Sequence, residues 1–162
     1  DRIVAKEGAF EILERNLALL GKAGAVLELR TVVLNSNITE LEELANHVTR
    51  HLSFAHVWAI MQLENIGYAR MNWDAEFCDT STEFDGIATA VDLAVGRGLR
   101  TKLYNFPLCT VPPAYREYCT LSISDWKQKF LSTCHDCSLR SSCTGFFEWY
   151  PDKRGFSGIR AQ

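Results

Sequence analysis

The chemistry-bearing residues of this chain are its cysteines. Six occur in 162 residues. Three follow the pattern Cys134-x2-Cys137-x5-Cys143, Cys109 ends a hydrophobic strand-like run upstream, and Cys119 lies between. A Cys-x2-Cys step lets two thiolates reach one centre from a tight turn. The longer x5 step brings in a third, and Cys109 or Cys119 completes a set of four. Four thiolates suit a tetrahedral zinc ion, or a cubane iron–sulfur cluster with one thiolate per iron. Zinc sites use two short pairs, whereas only one pair here is short, so the spacing leans toward iron–sulfur. Zinc, disulfides and free thiols stay open on spacing alone. Without a basic-then-apolar leader, clustered thiols point to metal in a cytoplasmic protein before they point to disulfides.

Other residue types carry weaker signals. His47 and His51 stand four apart, a ligand spacing without an accompanying acidic motif, and are expected on a solvated helix face. His135 lies between two of the clustered cysteines, which supply enough ligands without it. Asp74 and Glu76 form no acid/base couple and read as a solvated loop. Trp58 and Met61 read as core. Cys78 reads as a semi-buried or incidental thiol, with a substrate-side role as the alternative. The aromatic run Phe146-Phe147-Glu148-Trp149-Tyr150 either shields a metal or packs the tail.

Composition sets the frame. Apolar residues make up 47% and the net charge is −3, which fits one globular domain. Residues 1–98 carry 15 acidic and 8 basic side chains, and residues 99–162 carry 5 and 9. The basic end has no nucleic-acid-reading motif, so no nucleic-acid partner is expected. No apolar run is long enough to span a bilayer as a helix.

The elements that must position the cysteines alternate. Residues 8–21 space Phe10, Leu13, Leu17 and Leu20 as an amphipathic helix. Residues 25–34 read as a strand ending at the turn Asn35-Ser36-Asn37. Thr39 with Glu42 forms a capping box for a helix carrying Leu41, Leu44, Val48 and Leu52. Residues 56–63 read as a second strand, and a long loop runs from Glu64 to Ser81. Thr82 with Asp85 opens a third helix bearing Phe84, Ile87, Val91 and Val95, and residues 99–106 form a third strand. A short helix at 127–132 is expected to lead into Cys134. Helix-separated strands imply parallel pairing. Three strands make a poor complete sheet and fit better as the later strands of a larger barrel, with binding residues at their C-terminal ends.

One face of the first strand carries Val26, Glu28, Arg30, Val32 and Leu34. Glu28 and Arg30 there are either a structural ion pair or groups aimed into a barrel lumen to hold a polar cofactor. Ser36 and Asn37 suit either a ligand hydroxyl or a plain turn. Gln62, Glu64 and the Gly67-Tyr68 turn are placed similarly, and glycine there allows close backbone approach.

Four stretches carry a resemblance: Leu103-Tyr104-Asn105-Phe106-Pro107-Leu108-Cys109, Tyr115-Arg116-Glu117-Tyr118-Cys119, Ile123-Ser124-Asp125-Trp126-Lys127, and Cys134-x2-Cys137-x5-Cys143-Thr144-Gly145-Phe146-Phe147. Together they resemble the C-terminal half of radical S-adenosylmethionine (SAM) enzymes, and are most similar to maturases of the His-Xaa-Ser peptide-modification system. The resemblance covers most of the chain and is strongest from Gln62 to Gly145. It implies an α/β fold in which residues 1–108 are the later half of a partial (β/α)6 barrel and residues 109–162 a Cys-rich auxiliary-cluster segment. It implies an auxiliary [4Fe–4S] cluster on Cys134, Cys137, Cys143 and Cys109, with Cys119 as the rival fourth ligand. It implies SAM across the strand ends, touched by Arg30, Ser36, Gln62, Glu64, Gly67 and Tyr68. Family members cleave SAM to a 5′-deoxyadenosyl radical that abstracts hydrogen. The substrate would be a ribosomally made precursor peptide, with an electron donor and a partner maturase as candidate partners. The family's Cys-x3-Cys-x2-Cys catalytic motif does not occur in this sequence. With the start at Asp1 and the missing early strands, the expectation is a C-terminal fragment that does not cleave SAM alone. The alternative is a non-catalytic zinc or iron–sulfur module that recognises a peptide or partner.

Overall fold

The computed structural model describes residues 3–162. Its main elements in chain order are α1 (Ala9–Lys22), β1 (Glu28–Val33), α2 (Leu41–His51), β2 (Val57–Gln62), α3 (Gly67–Met71), α4 (Trp73–Glu76), α5 (Asp85–Gly96), β3 (Thr101–Tyr104), β4 (Cys119–Thr120), β5 (Gln128–Lys129) and β6 (Phe146–Phe147). The first four strands form one sheet in the order β1-β2-β3-β4, every neighbour parallel. The chain is therefore an α/β protein, as its alternating periodicity predicts.

Strand order follows chain order without reversal, so successive crossovers of one hand put their helices on one side of the sheet. The buried residues show this. Val33 and Leu103 alternate with exposed or half-exposed neighbours, Trp58 and Ile60 flank the equally buried Ala59, and all four pack with Leu41, Ala45 and Val48 of α2 and Ile87, Val91 and Ala94 of α5. Burial of these β-branched and aliphatic side chains contributes roughly 1.5–3 kcal/mol each. The opposite face carries Glu28, Arg30, Val32, Val57, Ala59, Met61, Lys102 and Tyr104, and Glu28, Arg30 and Val32 there are exposed. Val32 there is 40% exposed. Glu28 Oε1 accepts from Arg30 Nε at 2.6 Å and Glu28 Oε2 accepts from the Tyr104 hydroxyl at 3.1 Å.

Several expectations change. A fourth strand, β4, pairs with β3 through Leu103↔Cys119 and Tyr104↔Thr120, so the sheet continues past residue 108. Neither the Thr39–Glu42 capping box nor the Thr82–Asp85 cap forms: the first is replaced by a 3-10 turn at Ile38–Glu40, and the Thr82 hydroxyl donates to the Asp79 carbonyl. The loop 64–81 holds two short helices, α3 and α4, around the buried Trp73. Residues 125–127 make a 3-10 turn, and β5 follows where a helix was expected; β5 pairs antiparallel with β6. α1 buries none of its stripe. Phe10, Leu13 and Leu20 stay exposed, and only Leu17 reaches the core; α1 meets α2, with Phe10 and Glu14 against His47, and Gly21 against Phe54. No helix among the described residues is long and apolar enough to cross a membrane.

Candidate metal centre

The chain leaves β3 at Asn105, whose φ of 66° turns it sharply toward Pro107. Asn105 is held there by Ser122, whose hydroxyl accepts from the Asn105 backbone N–H at 2.7 Å and donates to Asn105 Oδ1 at 3.0 Å. Cys109 follows in a 3-10 turn at Leu108–Thr110. The other end of the site is set by two more 3-10 turns, Ser132–Cys134 and Arg140–Ser142. Thr144 ties the halves: its hydroxyl oxygen accepts from the N–H groups of Ser122 and Ile123, both at 3.1 Å.

These turns bring Cys109, Cys134, Cys137 and Cys143 to the wall of one small cavity, completed by Leu108, Phe130, Phe146 and the backbone near Arg160. Its volume is ≈ 20 Å³, about one water. All six cysteines are free thiols, so disulfides are not part of the arrangement. Cys119 sits apart from this wall. It lies in β4 and packs on the sheet core, whereas Cys109 and Cys134 pack on a second cluster of Trp73, Phe146, Tyr150 and Phe156. Cys78 is fully buried in the sheet core, deeper than its sequence context suggests.

Electrostatics at the site oppose free thiolates. Burial pushes the Cys109 thiol up to about 11 and Cys119 to about 12. Cys143 is also raised, by burial first and by the sulfurs of Cys134 and Cys137, against two N–H donors. Those donors are Leu108 at 3.3 Å and Gly145 at 3.4 Å from Cys143 Sγ. At Cys109 the nearby Arg160 backbone partly offsets the rise caused by burial. Burial disfavours ionisation while backbone donors aim at the sulfurs, a combination that suits a thiolate neutralised by a bound cation. Among the described residues no three His, Cys, Asp or Glu side chains stand close enough to hold a single metal ion. A Zn–S length of about 2.3 Å would demand close thiolates.

The SAM-contact set from the sequence is not assembled. Arg30 is engaged by Glu28 and stacks near the Tyr104 ring at 5.7 Å, on the open sheet face. This agrees with the ion-pair reading. Ser36 and Tyr68 share a cleft at the ends of β1 and β2 with Asn72 and Glu76. Ser36 donates to Glu76 Oε2 at 2.6 Å, so Glu76 is a partner in that cleft, not a solvated loop residue. Gln62 turns to the helix side, 4% exposed, and donates to the Cys78 carbonyl at 3.0 Å. Glu64 pairs with Lys127 at 3.6 Å, and Gly67 begins α3 with φ 56°. Since these six residues face different directions, no step through SAM is derived from them.

The histidines hold no metal with the cysteines. His47 faces α1, with Nε2 at 2.7 Å from Glu14 Oε1, and His51 lies beside it with ring centroids 4.8 Å apart. His135 is exposed and pairs with Asp136. Asp74 binds Arg154 at 3.1 Å. Sequence reading passed over Asp79, Ser81 and Ser157, whose contacts are 78 residues apart in the chain for Asp79 and Ser157 and have no local signature.

Comparison with protein-family models, curated proteins and solved structures finds no match to this chain.

Proposed function

We propose that this chain is the auxiliary-cluster-bearing part of a radical SAM peptide maturase, contributing the later β/α units of a partial (β/α)6 barrel. The observation that carries the reading is the gathering of Cys109, Cys134, Cys137 and Cys143 on one cavity wall at the C-terminal end of a singly wound parallel sheet. All-parallel sheets ordinarily have both faces covered. The uncovered face with Glu28, Arg30 and Tyr104, and the outer edge of β1, which pairs with no described strand, support a sheet that belongs to a larger barrel.

Cys109, Cys134, Cys137 and Cys143 would hold a [4Fe–4S] cluster. When bound, it supplies one-electron transfer, or a Lewis-acidic iron where a ligand position is open. The chain's own residues do the rest. Leu108 and Gly145 fix the Cys143 sulfur through their N–H groups. Phe130 and Phe146 give the cavity part of its apolar wall. Cys119 stays in the sheet as a packed thiol. The complete enzyme would act on a ribosomally made peptide with SAM and an electron donor, while this chain, lacking Cys-x3-Cys-x2-Cys, would be inactive alone.

The coding sequence upstream of Asp1 tests the enzyme assignment. An in-frame strand–loop bearing Cys-x3-Cys-x2-Cys is expected. A start codon directly before Asp1 would instead make the chain a stand-alone metal-binding module.

A further inference from the structure

Residues 156–162 run from the aromatic cluster across the thiol cavity. Their entry is fixed by Tyr150, whose hydroxyl oxygen accepts from the Phe156 N–H at 2.6 Å, and by Trp73, whose indole N–H donates to the Arg154 carbonyl at 2.6 Å. Their far end is held where the Gln162 carbonyl accepts from Ser138 N–H at 3.0 Å and Ser138 hydroxyl at 2.7 Å. Arg116 also donates to Gln162 Oε1 at 2.7 Å. Between these ends, Arg160 and Gln162 form part of the cavity wall.

The middle is fastened by one carboxylate. Asp79 Oδ2 accepts from Ser157 N–H at 2.8 Å and from Ser157 hydroxyl at 2.6 Å. Asp79 Oδ1 accepts from Ser81 N–H at 3.1 Å and from the Ser81 hydroxyl. Ser81 Oγ in turn accepts from Gly158 N–H at 2.9 Å. A Cβ on Gly158 would stand 2.8 Å from Ser81 Oγ, so only glycine lets the two segments close this tightly. Charge-assisted bonds of this kind are about twice as strong as neutral ones.

We propose that residues 156–162 are a strap that seals the Cys109 side of the cluster site, and that Asp79 is the positioning residue that latches it. The inference rests on the reading that the four thiols hold a cluster. The cavity has room for about one water, so a cluster enters only when its wall gives way; Cys137 and Cys143 also border an open cleft with Phe130, while the strap supplies Arg160 and Gln162 to the wall shared with Cys109. The latch then sets both how fast the cluster is assembled and how well it is protected. It also ties the cluster to the segment after β2, because Asp74, Asp79 and Ser81 all lie there and all bind the strap or its entry.

The test uses the reduced, metal-free protein first. Alkylation by iodoacetamide is followed cysteine by cysteine by peptide mass spectrometry in wild type, Asp79→Asn and Ser157→Ala. Cys119, packed on the sheet core in β4 and absent from the cavity wall, is the internal control, because Cys78 adjoins the substituted Asp79. Asp79→Asn is expected to speed Cys109 labelling about tenfold, the effect of losing charge-assisted hydrogen bonds, and Ser157→Ala to speed it less, with Cys119 unchanged in both. Equal Cys109 rates in all three proteins, or Cys119 rising in step with Cys109, would overturn the latch. The reconstituted proteins give a second readout: iron transfer to a chelator should be faster and the cluster midpoint potential should shift in Asp79→Asn. If wild type takes up no cluster while Cys109 labelling still responds to Asp79, the cluster reading fails and the strap stands. If the cluster forms and neither iron transfer nor potential responds, the strap role fails and the cluster reading stands.

Discussion

Replacing Gly145 with alanine should destabilise the Cys-rich half by about 1–2.5 kcal/mol, more than a glycine replacement that meets no backbone. Gly145 has φ 67°, and a left-handed conformation costs an L-residue about 1–2 kcal/mol. Its Cβ would also stand 2.8 Å from the Lys129 carbonyl oxygen and 3.2 Å from the Phe130 ring. The first neighbour is backbone of β5, so relief requires β5 and β6 to part. Losing a ribbon hydrogen bond adds about 1 kcal/mol, and the stiffer unfolded chain returns about 0.4–1 kcal/mol. Gly98→Ala is the control. It shares the positive φ, 80°, but has nothing within 4 Å of its Cβ, so it should cost about 1 kcal/mol or less. Urea unfolding of both reduced, metal-free variants, followed by tryptophan fluorescence and by circular dichroism, measures the difference. Because Gly145 N–H also donates to Cys143 Sγ, the same variant should bind iron less well. Equal unfolding midpoints for the two variants would refute the steric reasoning.

Three further outcomes follow from the same geometry. Cys137→Ser and Cys109→Ser should each abolish the cluster absorbance near about 400 nm, whereas Cys119→Ser should retain it; loss in Cys119→Ser alone would move the fourth ligand into β4. Ile87→Ala, fully buried between α5 and the sheet, should lower stability by about 2–5 kcal/mol in urea titration, and a loss under 1 kcal/mol would mean α5 does not pack as described. Asp79 is pushed up by burial, but hydrogen bonds from Ser157 and Ser81 outweigh this and hold it below its ordinary 3.8. A depressed carboxyl stabilises the fold above its unfolded pKa and stops doing so as pH falls through the folded value. The stability gap between wild type and Asp79→Asn should therefore be full at neutral pH and shrink below about pH 4, while a gap independent of pH would contradict the latch chemistry.

The sheet and its helices were legible because their signal is local. Val48, Ile87 and Val91 recur at helical spacing, and Trp58-Ala59-Ile60 forms an apolar run bounded by turns. β4 was not legible, since Cys119–Thr120 is extended only by pairing with Leu103–Tyr104. The caps failed because the chain turns differently there: Ile38–Glu40 is a 3-10 turn, and the Thr82 hydroxyl donates back to the Asp79 carbonyl. α1 carries an apolar stripe whose burial the pattern promises, yet a stripe does not say which neighbour is present to cover it. At the candidate site, the grouping of Cys134, Cys137 and Cys143 was readable from spacing. The choice between Cys109 and Cys119 was not, because it depends on which of them the sheet claims. The strap was invisible for the same reason: its contacts join Asp79 to Ser157 and Ser138 to Gln162 across the fold.

The most direct measurement is metal and sulfide analysis of the chain purified without oxygen and reconstituted with iron and sulfide, with zinc offered in parallel. The four-thiol site predicts about four iron and four acid-labile sulfide per chain, brown colour, and an electron paramagnetic resonance signal on reduction. A colourless protein holding a single zinc, or one with no metal and freely labelled Cys109, Cys134, Cys137 and Cys143, would contradict it.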